Sequence, residues 1–261
     1  MNRIENAFKN KPIFMPYFPL GYPDLDTSID VIEALAQNGA DLIEVGLSFS
    51  DPLADGPVIQ KATQIALEKG ITIKKSLAAV AELRKRGVTI PFILMGYFNP
   101  MLAYGLEKFV HDAREAGADG FIIPDLPLEE AGEFQTLVGD LPLIQMLAPT
   151  SPNERMESIA RHAKGFIYLV SVTGVTGART TISDGLGDLI NRVREHAKQS
   201  VPVCVGFGIG TPEQARQVGA LADGVIVGSA CVKTIGESQD PIEAARKFAK
   251  SFRDALRQLA L

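Results

Sequence analysis

The chain has 261 residues, 46% of them hydrophobic and 22% charged, a balance that is typical of a globular protein and excludes a disordered or fibrous one. Its formal net charge of -5 argues against a nucleic-acid partner, because proteins that bind phosphate backbones usually carry a basic surface. No apolar run is long enough to span a bilayer, and the polar residues 2–6 do not resemble a signal peptide, so we expect a cytoplasmic protein without a membrane partner.

The 2 cysteines, Cys204 and Cys231, each lie within an apolar stretch, and we expect both to be reduced and buried. No cluster of cysteine and histidine has the spacing of metal ligands. We therefore predict no metal site.

Short apolar runs rich in β-branched residues alternate with longer segments of helical period along the chain. Eight runs predict strands: Ile13–Phe18, Leu42–Val45, Pro91–Met95, Gly120–Ile123, Leu143–Leu147, Phe166–Val170, Val203–Val205 and Gly224–Val227. The main predicted helices are Ser28–Gln37, Gln60–Glu68, Ile73–Arg86, Leu106–Ala116, Leu128–Leu137, Asn153–Ala163, Leu186–His196, Pro212–Val218 and Pro241–Leu261. Apolar strands that are each followed by a helix indicate a parallel sheet buried on both faces.

Eight such units without a linker favour a closed barrel over an open doubly wound sheet. We therefore predict an α/β protein with one (β/α)8 TIM-barrel domain over residues 1–261, an extra N-terminal helix and additional short helices. A repeated sequence cue, glycine followed closely by aspartate, ends three helices just before a strand, at Asp41, Asp119 and Asp223.

Two carboxylates flank the loop that follows the second predicted strand. Glu44 ends the strand, an unusual place for a charge, and Asp55 lies in the loop rich in Ser, Asp, Pro and Gly. A barrel enzyme presents an acid/base pair at such positions, because its strand ends and βα loops converge on one pocket. The alternatives are an interior salt bridge for Glu44 and a turn or helix cap for Asp55. For Asp125, after the fourth strand, capping of a helix at Leu128 is the favoured interpretation.

Glycine-rich loops follow the seventh and eighth strands, at 206–210 and 228–230. Glycines let the backbone approach an anion, and a helix N-terminus offers unpaired N–H groups, so two adjacent loops of this kind favour a phosphate site over simple tight turns. The loop after the sixth strand, residues 171–185, is long and predicts a mobile lid, although a plain solvated loop is the alternative. Phe18, Tyr97 and Tyr168 end or follow strands and offer either core packing or a surface for a ring-shaped substrate.

These motifs together closely resemble the tryptophan synthase alpha chain family. The likeness rests on the acidic loop Glu44–Pro57, on Gly174–Ala178, on Gly206–Ile209 and on Gly228–Ser229, and it runs from the N-terminal helix to about Lys233. One departure is Ser48, where the family commonly has proline in a loop that faces its partner β chain.

The resemblance implies a lyase of L-tryptophan biosynthesis that cleaves indole-3-glycerol phosphate into indole and glyceraldehyde 3-phosphate by a retro-aldol reaction. It implies that Glu44 protonates indole C3 and helps to remove the proton of the glycerol hydroxyl, and that Asp55 stabilises positive charge at the indole N–H. The remaining residues that it assigns are Phe18, Tyr168 and Thr176 for the substrate, and Gly177, Phe207, Gly208, Gly228 and Ser229 for the phosphate.

The resemblance also implies a β chain as partner, in an α2β2 heterotetramer, with pyridoxal phosphate in that β chain and no cofactor in this one. Two alternatives stay open. Another phosphate-binding barrel enzyme of the same pathway is disfavoured because no lysine lies on the predicted strand ends. A mainly regulatory or binding subunit is disfavoured because both acids are present.

Overall fold

The computed structural model describes residues 2–170, 185–197, 201–206 and 208–259. Their strands pair in parallel and in chain order, and the last strand closes a barrel against the first. The strands are β1 (Ile13–Pro19), β2 (Ile43–Gly46), β3 (Phe92–Met95), β4 (Gly120–Ile122), β5 (Leu143–Leu147), β6 (Ile167–Val170), β7 (Val203–Gly206) and β8 (Gly224–Val227). The predicted TIM barrel is confirmed, and each strand lies close to its predicted bounds. That one domain spans residues 1–261 stays a prediction.

Helices surround this barrel. They are α1 (Arg3–Ala7), α2 (Leu25–Gln37), α3 (Pro57–Glu68), α4 (Ile73–Lys85), α5 (Phe98–Tyr104), α6 (Leu106–Ala116), α7 (Gly132–Val138), α8 (Asn153–His162), α9 (Leu186–His196), α10 (Pro212–Gly219), α11 (Ser229–Gly236) and α12 (Pro241–Arg257). The extra N-terminal helix is α1, and α5 is a short helix that the apolar pattern does not reveal. Within the described part of the chain, no helix combines the length and the hydrophobicity that crossing a bilayer requires.

Side chains of β1 alternate between the barrel interior and the surrounding helices. The ring of Phe14 stacks on Phe252 of α12 at a centroid distance of 5.3 Å, so the even-numbered residues of β1 face the helices. Met15 and Tyr17 therefore face the interior. This alternation decides which side chains of β1 lie inside the barrel near the carboxyl ends of the strands.

The three aspartates of the repeated cue join neighbouring strands at the amino-terminal end of the barrel, which we call its lower end. Each carboxylate accepts a hydrogen bond from a backbone N–H of the preceding strand, at 2.8 to 2.9 Å. Asp41, Asp119 and Asp223 bind in this way the N–H groups of Phe14, Phe92 and Val203, respectively. Each also pairs with basic side chains, among them Arg253, Arg84 and Arg194. These hydrogen bonds fix the register between β1 and β2, between β3 and β4, and between β7 and β8.

Candidate active site

Glu44 lies in β2 with its side chain inside the barrel. Its Cα pairs in register with that of Tyr17 on β1, and paired residues of a parallel sheet point to the same face. The residue is 1% exposed. Among the described residues, Glu44 and Asp55 are the carboxyl groups that the fold takes from water.

Among the described residues, Oε1 of Glu44 has no hydrogen-bond partner, and no cation forms an ion pair with the carboxylate. Burial in these surroundings raises the pKa of Glu44 to about 8, because the ion loses its hydration. The interior salt bridge that the sequence left open is absent from the described part of the chain. A carboxyl group in this environment is protonated near neutral pH.

Asp55 lies in the loop between β2 and α3 and is 6% exposed. Its Oδ2 accepts a hydrogen bond of 3.0 Å from the hydroxyl of Tyr97, which follows β3. Burial raises the pKa of Asp55 to about 6, and the hydrogen bond from Tyr97 opposes that rise. Asp55 does not cap α3: the cap residue is Gly56, and α3 has no side-chain cap.

Tyr17 of β1 and Tyr168 of β6 complete the space around the two acids. Burial raises the pKa of both tyrosines above the usual value. The negative charges of Glu44 and Asp55 raise both pKa values further. Both phenols therefore lie within the electrostatic reach of both carboxylates. Four polar groups from β1, β2, β6 and the β2–α3 loop converge on one buried space.

The two tyrosines lie against strand-end glycines. A Cβ atom on Gly46 would collide with the hydroxyl of Tyr17, and one on Gly206 would collide with the hydroxyl of Tyr168. Each tyrosine thus lies across the end of the next strand. Because Gly46 and Gly206 have no side chain, the two tyrosine rings fit there beside the acids.

Phe18 does not reach this space. It pairs in register with Val45, on the opposite face from Glu44, and its ring contacts Tyr22 at a centroid distance of 6.2 Å. The sequence interpretation assigned Phe18 to the substrate pocket, and the alternation of β1 brings Tyr17 there instead. Ile13, Met15 and Tyr17 share the face of Glu44, but every residue of β1 is buried, so no pattern in the sequence marks that face.

The candidate phosphate cradle lies at the ends of β7 and β8. Gly228 precedes the first turn of α11, which opens with Ser229, and Gly208 has a φ of 80° that disfavours any residue with a side chain. A Cβ atom on Gly228 would lie 3.8 Å from Cβ of Tyr17. The N-terminus of α11 therefore adjoins the space that holds the acids, and its N–H groups suit an anion.

Thr176, Gly177 and Phe207 lie outside the described residues, as does most of the predicted lid. Their assignments stay predictions. Within the ranges that are described, no group of three or more His, Cys, Asp or Glu side chains is arranged to hold a metal ion.

Asp125 has a different role from the predicted one. Its Oδ1 accepts a 2.9 Å hydrogen bond from the backbone N–H of Phe98, at the first turn of α5. The predicted cap of a helix at Leu128 is wrong, because the chain turns there and α7 begins at Gly132. Asp125 caps a helix distant in sequence, which the local pattern cannot reveal.

Comparisons with known proteins agree on one family. The model described as "Tryptophan synthase alpha chain" matches residues 4–260. The tryptophan synthase alpha chain of Geobacillus stearothermophilus is 50% identical, and the match covers 87% of this chain and 84% of that protein. The alpha chain of Chloroflexus aurantiacus is 46% identical, and the match covers 98% of this chain and 99% of that protein. A structure of Mycobacterium tuberculosis tryptophan synthase superposes with a TM-score of 0.90 at 36% identity, covering 98% of both chains.

Proposed function

The chain belongs to the tryptophan synthase alpha chain family, and we propose that Glu44 and Asp55 carry out its reaction. The chain is a lyase of L-tryptophan biosynthesis. It cleaves indole-3-glycerol phosphate to indole and glyceraldehyde 3-phosphate. This retro-aldol step breaks the carbon–carbon bond between indole C3 and the glycerol chain.

Glu44 supplies the proton that starts the cleavage. With a pKa of about 8 it is neutral at pH 7, as a general acid must be. Its proton goes to indole C3, which leaves positive charge on the indole ring. The carboxylate of Glu44 that results then takes the proton of the glycerol hydroxyl. The carbon–carbon bond breaks, and the electron pair of that bond returns to the indole ring. Glu44 is thereby protonated again.

Asp55 stabilises the cation between these steps. With a pKa of about 6 it is ionised at pH 7, and its charge faces the N–H of the protonated indole. A fixed charge in a buried site acts more strongly than the same charge in water. The different environments of the two carboxylates thus assign one to acid chemistry and one to charge stabilisation.

The substrate lies between these acids and the ends of β7 and β8. Tyr17 and Tyr168 contact the indole ring, and Gly208, Gly228 and Ser229 hold the phosphate through backbone N–H groups. The family resemblance adds Gly177 and Phe207 to the phosphate site and Thr176 to the substrate site. Packing does not require glycine at position 228, because an added Cβ would make ordinary contacts, the nearest at 3.6 Å to Ile59. Close approach of an anion supplies the reason.

The partner of the chain is the β chain of tryptophan synthase, and an α2β2 heterotetramer in the cytoplasm is the assembly that we propose. Pyridoxal phosphate belongs to the β chain in this proposal. The chemistry of the present chain proceeds on its own carboxylates.

The observation that carries the proposal is the shared burial of Glu44 and Asp55 around one space with pKa values on either side of 7. The test measures free indole released from indole-3-glycerol phosphate. Glu44→Gln and Asp55→Asn should each lower kcat by about 10³-fold or more, with unchanged circular dichroism. Asp112→Asn is the matched control, since Asp112 also accepts a hydrogen bond from a tyrosine, Tyr104, but lies on the outer helix α6.

Wild-type turnover in either acid variant would refute the assignment of that acid. The same assay with added β chain tests the regulatory alternative. Indole released by the chain alone, and more of it with the β chain, supports an enzyme; no indole under either condition would favour a binding subunit.

A further inference from the structure

We propose that Tyr97 is a positioning residue for Asp55, and that its hydroxyl holds both the carboxylate and the loop that carries it in the reactive arrangement. This inference rests on the proposed function of Asp55. The family resemblance as stated above assigns Tyr97 no role, and the sequence offered it only as core packing or as a surface for a ring-shaped substrate.

The contacts of Tyr97 come from one strand end and reach three points of the loop after β2. Its hydroxyl donates to Oδ2 of Asp55 at 3.0 Å and accepts the backbone N–H of Ala54, also at 3.0 Å. Its ring packs against Phe49 at a centroid distance of 5.5 Å. Tyr97 is 4% exposed, so water does not compete for these bonds.

The loop needs such an anchor. Its backbone is held locally, by the hydrogen bond from the N–H of Asp55 to the carbonyl of Pro52 and by that from the side chain of Gln60 to the carbonyl of Asp55. Neither bond fixes the carboxylate relative to the barrel. Among the described residues, Tyr97 provides the one hydrogen bond to that carboxylate, and it does so from β3 rather than from the loop itself.

The charges around Asp55 make this bond important. Among the described residues, the ionisable groups near it or near its partner Tyr97 are Glu44 on β2, Tyr17 on β1, Tyr168 on β6, Tyr97 itself and Asp125 after β4, and none of these is a cation. A buried carboxylate without a cation depends on hydrogen-bond donors to stay ionised. The hydroxyl of Tyr97 is such a donor and favours the charged form that the reaction needs.

Tyr97 itself keeps its proton. Burial raises its pKa above the ordinary value of a tyrosine, and the nearby charge of Asp55 adds to that rise. Its one proton is directed to Asp55 and one lone pair accepts the N–H of Ala54. The role of Tyr97 is therefore to orient Asp55 and not to exchange protons with the substrate.

Tyr97→Phe tests this role, because it keeps the ring against Phe49 and removes both hydrogen bonds. We expect kcat for indole release to fall about ten- to hundredfold with KM changed less than about threefold. We also expect the acidic limb of the kcat/KM profile, which Asp55 sets, to move to higher pH. Tyr104→Phe is the matched control, since it removes another tyrosine-to-aspartate hydrogen bond, of 2.6 Å to Asp112, and should change neither kcat nor the profile.

A second measurement does not depend on turnover. Titration of the Asp55 carboxyl carbon by NMR should show a higher pKa in Tyr97→Phe than in the wild type, and no change in Tyr104→Phe. An unshifted Asp55 pKa together with wild-type kcat in Tyr97→Phe would overturn the inference. A variant that loses stability but keeps the acidic limb in place would also overturn it. If the wild type released no indole, the proposed function would fail, whereas the NMR titration would still decide whether Tyr97 controls Asp55.

Discussion

Glu44 and Asp55 are both buried at the carboxyl end of the barrel, yet Asp55 accepts a hydrogen bond from Tyr97 whereas Oε1 of Glu44 has no partner among the described residues. Burial therefore acts on Glu44 without opposition and raises its pKa to about 8, while that of Asp55 rises to about 6. At neutral pH one acid is protonated and the other is charged.

The pH dependence of the reaction follows from this difference. We expect a bell-shaped profile of kcat/KM for indole release. The rate is lost below about pH 6, where Asp55 becomes neutral, and above about pH 8, where Glu44 loses its proton. Rates from about pH 5 to pH 9.5 check this expectation. A profile with a maximum outside the range between the two values would contradict the assigned protonation states.

The burial of Glu44 also affects stability. The folded pKa of Glu44 is raised from 4.5 to about 8, so the folded state holds a proton that the unfolded state has released, and stability falls as pH rises from 4.5 to about 8. Glu44→Gln removes this dependence. We expect the variant to gain about 2 to 3 kcal/mol relative to the wild type between pH 4.5 and pH 7.

Urea unfolding of both proteins at several pH values measures that gain. A constant difference between Glu44→Gln and the wild type across this range would show that Glu44 ionises normally in the folded chain. Glu33→Gln, a variant at a partly exposed position on α2, is the control and should follow the wild type.

The phosphate cradle can be tested without disturbing the barrel. Gly228→Ala adds a methyl group that meets Ile59 at 3.6 Å, an ordinary contact, so we expect little change in melting temperature. The same methyl group would project toward a bound phosphate and should raise KM for indole-3-glycerol phosphate about tenfold or more, with a smaller effect on kcat. Gly132→Ala, where an added Cβ meets nothing within 4 Å, is the control. An unchanged KM in Gly228→Ala would remove Gly228 from the phosphate site.

The aspartate clamps at the lower end of the barrel should affect stability and not catalysis. Asp119 binds the N–H of Phe92 and pairs with Arg84, and both charged side chains are largely buried, at 10% and 13% exposure. We expect Asp119→Ala to lower the free energy of unfolding by about 3 kcal/mol, because Arg84 loses its carboxylate partner and the N–H of Phe92 loses its acceptor. The kcat of the folded variant should stay within about twofold of the wild type, since the change lies at the opposite end of the strands from the acids.

Asp140 is the matched control for this clamp. Its ion pair with Arg114 has a similar length, 2.7 Å, but Asp140 is 81% exposed. Asp140→Ala should change stability by no more than about 0.5 kcal/mol. Equal losses in the two variants, measured by urea unfolding, would mean that the clamp contributes no more than a surface ion pair.

The sequence predicted the barrel, which the structure confirms, and it pointed to the two candidate acids, whose roles in the reaction stay a prediction. Short β-branched runs that alternate with segments of helical period fit few folds other than a parallel α/β barrel. Glycine followed closely by aspartate marks the starts of β2, β4 and β8. Glu44 was recognisable because a charge at the end of an apolar strand is costly without a function, and Asp55 because it is a second carboxylate in the loop that follows that strand.

Local sequence could not decide which residues of neighbouring strands meet. All residues of β1 are buried, so no alternation of polar and apolar residues distinguishes Tyr17 from Phe18. The bond from Tyr97 to Asp55 and the cap that Asp125 gives to α5 join residues on different strands or loops, and they exist only when the barrel closes.

Chemical type and periodicity are properties of the chain, and they predicted the fold class and the two candidate acids. The phase of each strand, the partner of each buried polar group and the pKa values that follow are properties of the closed barrel. Burial and hydrogen bonding depend on atoms that are far apart in the chain, and only the tertiary structure brings those atoms together.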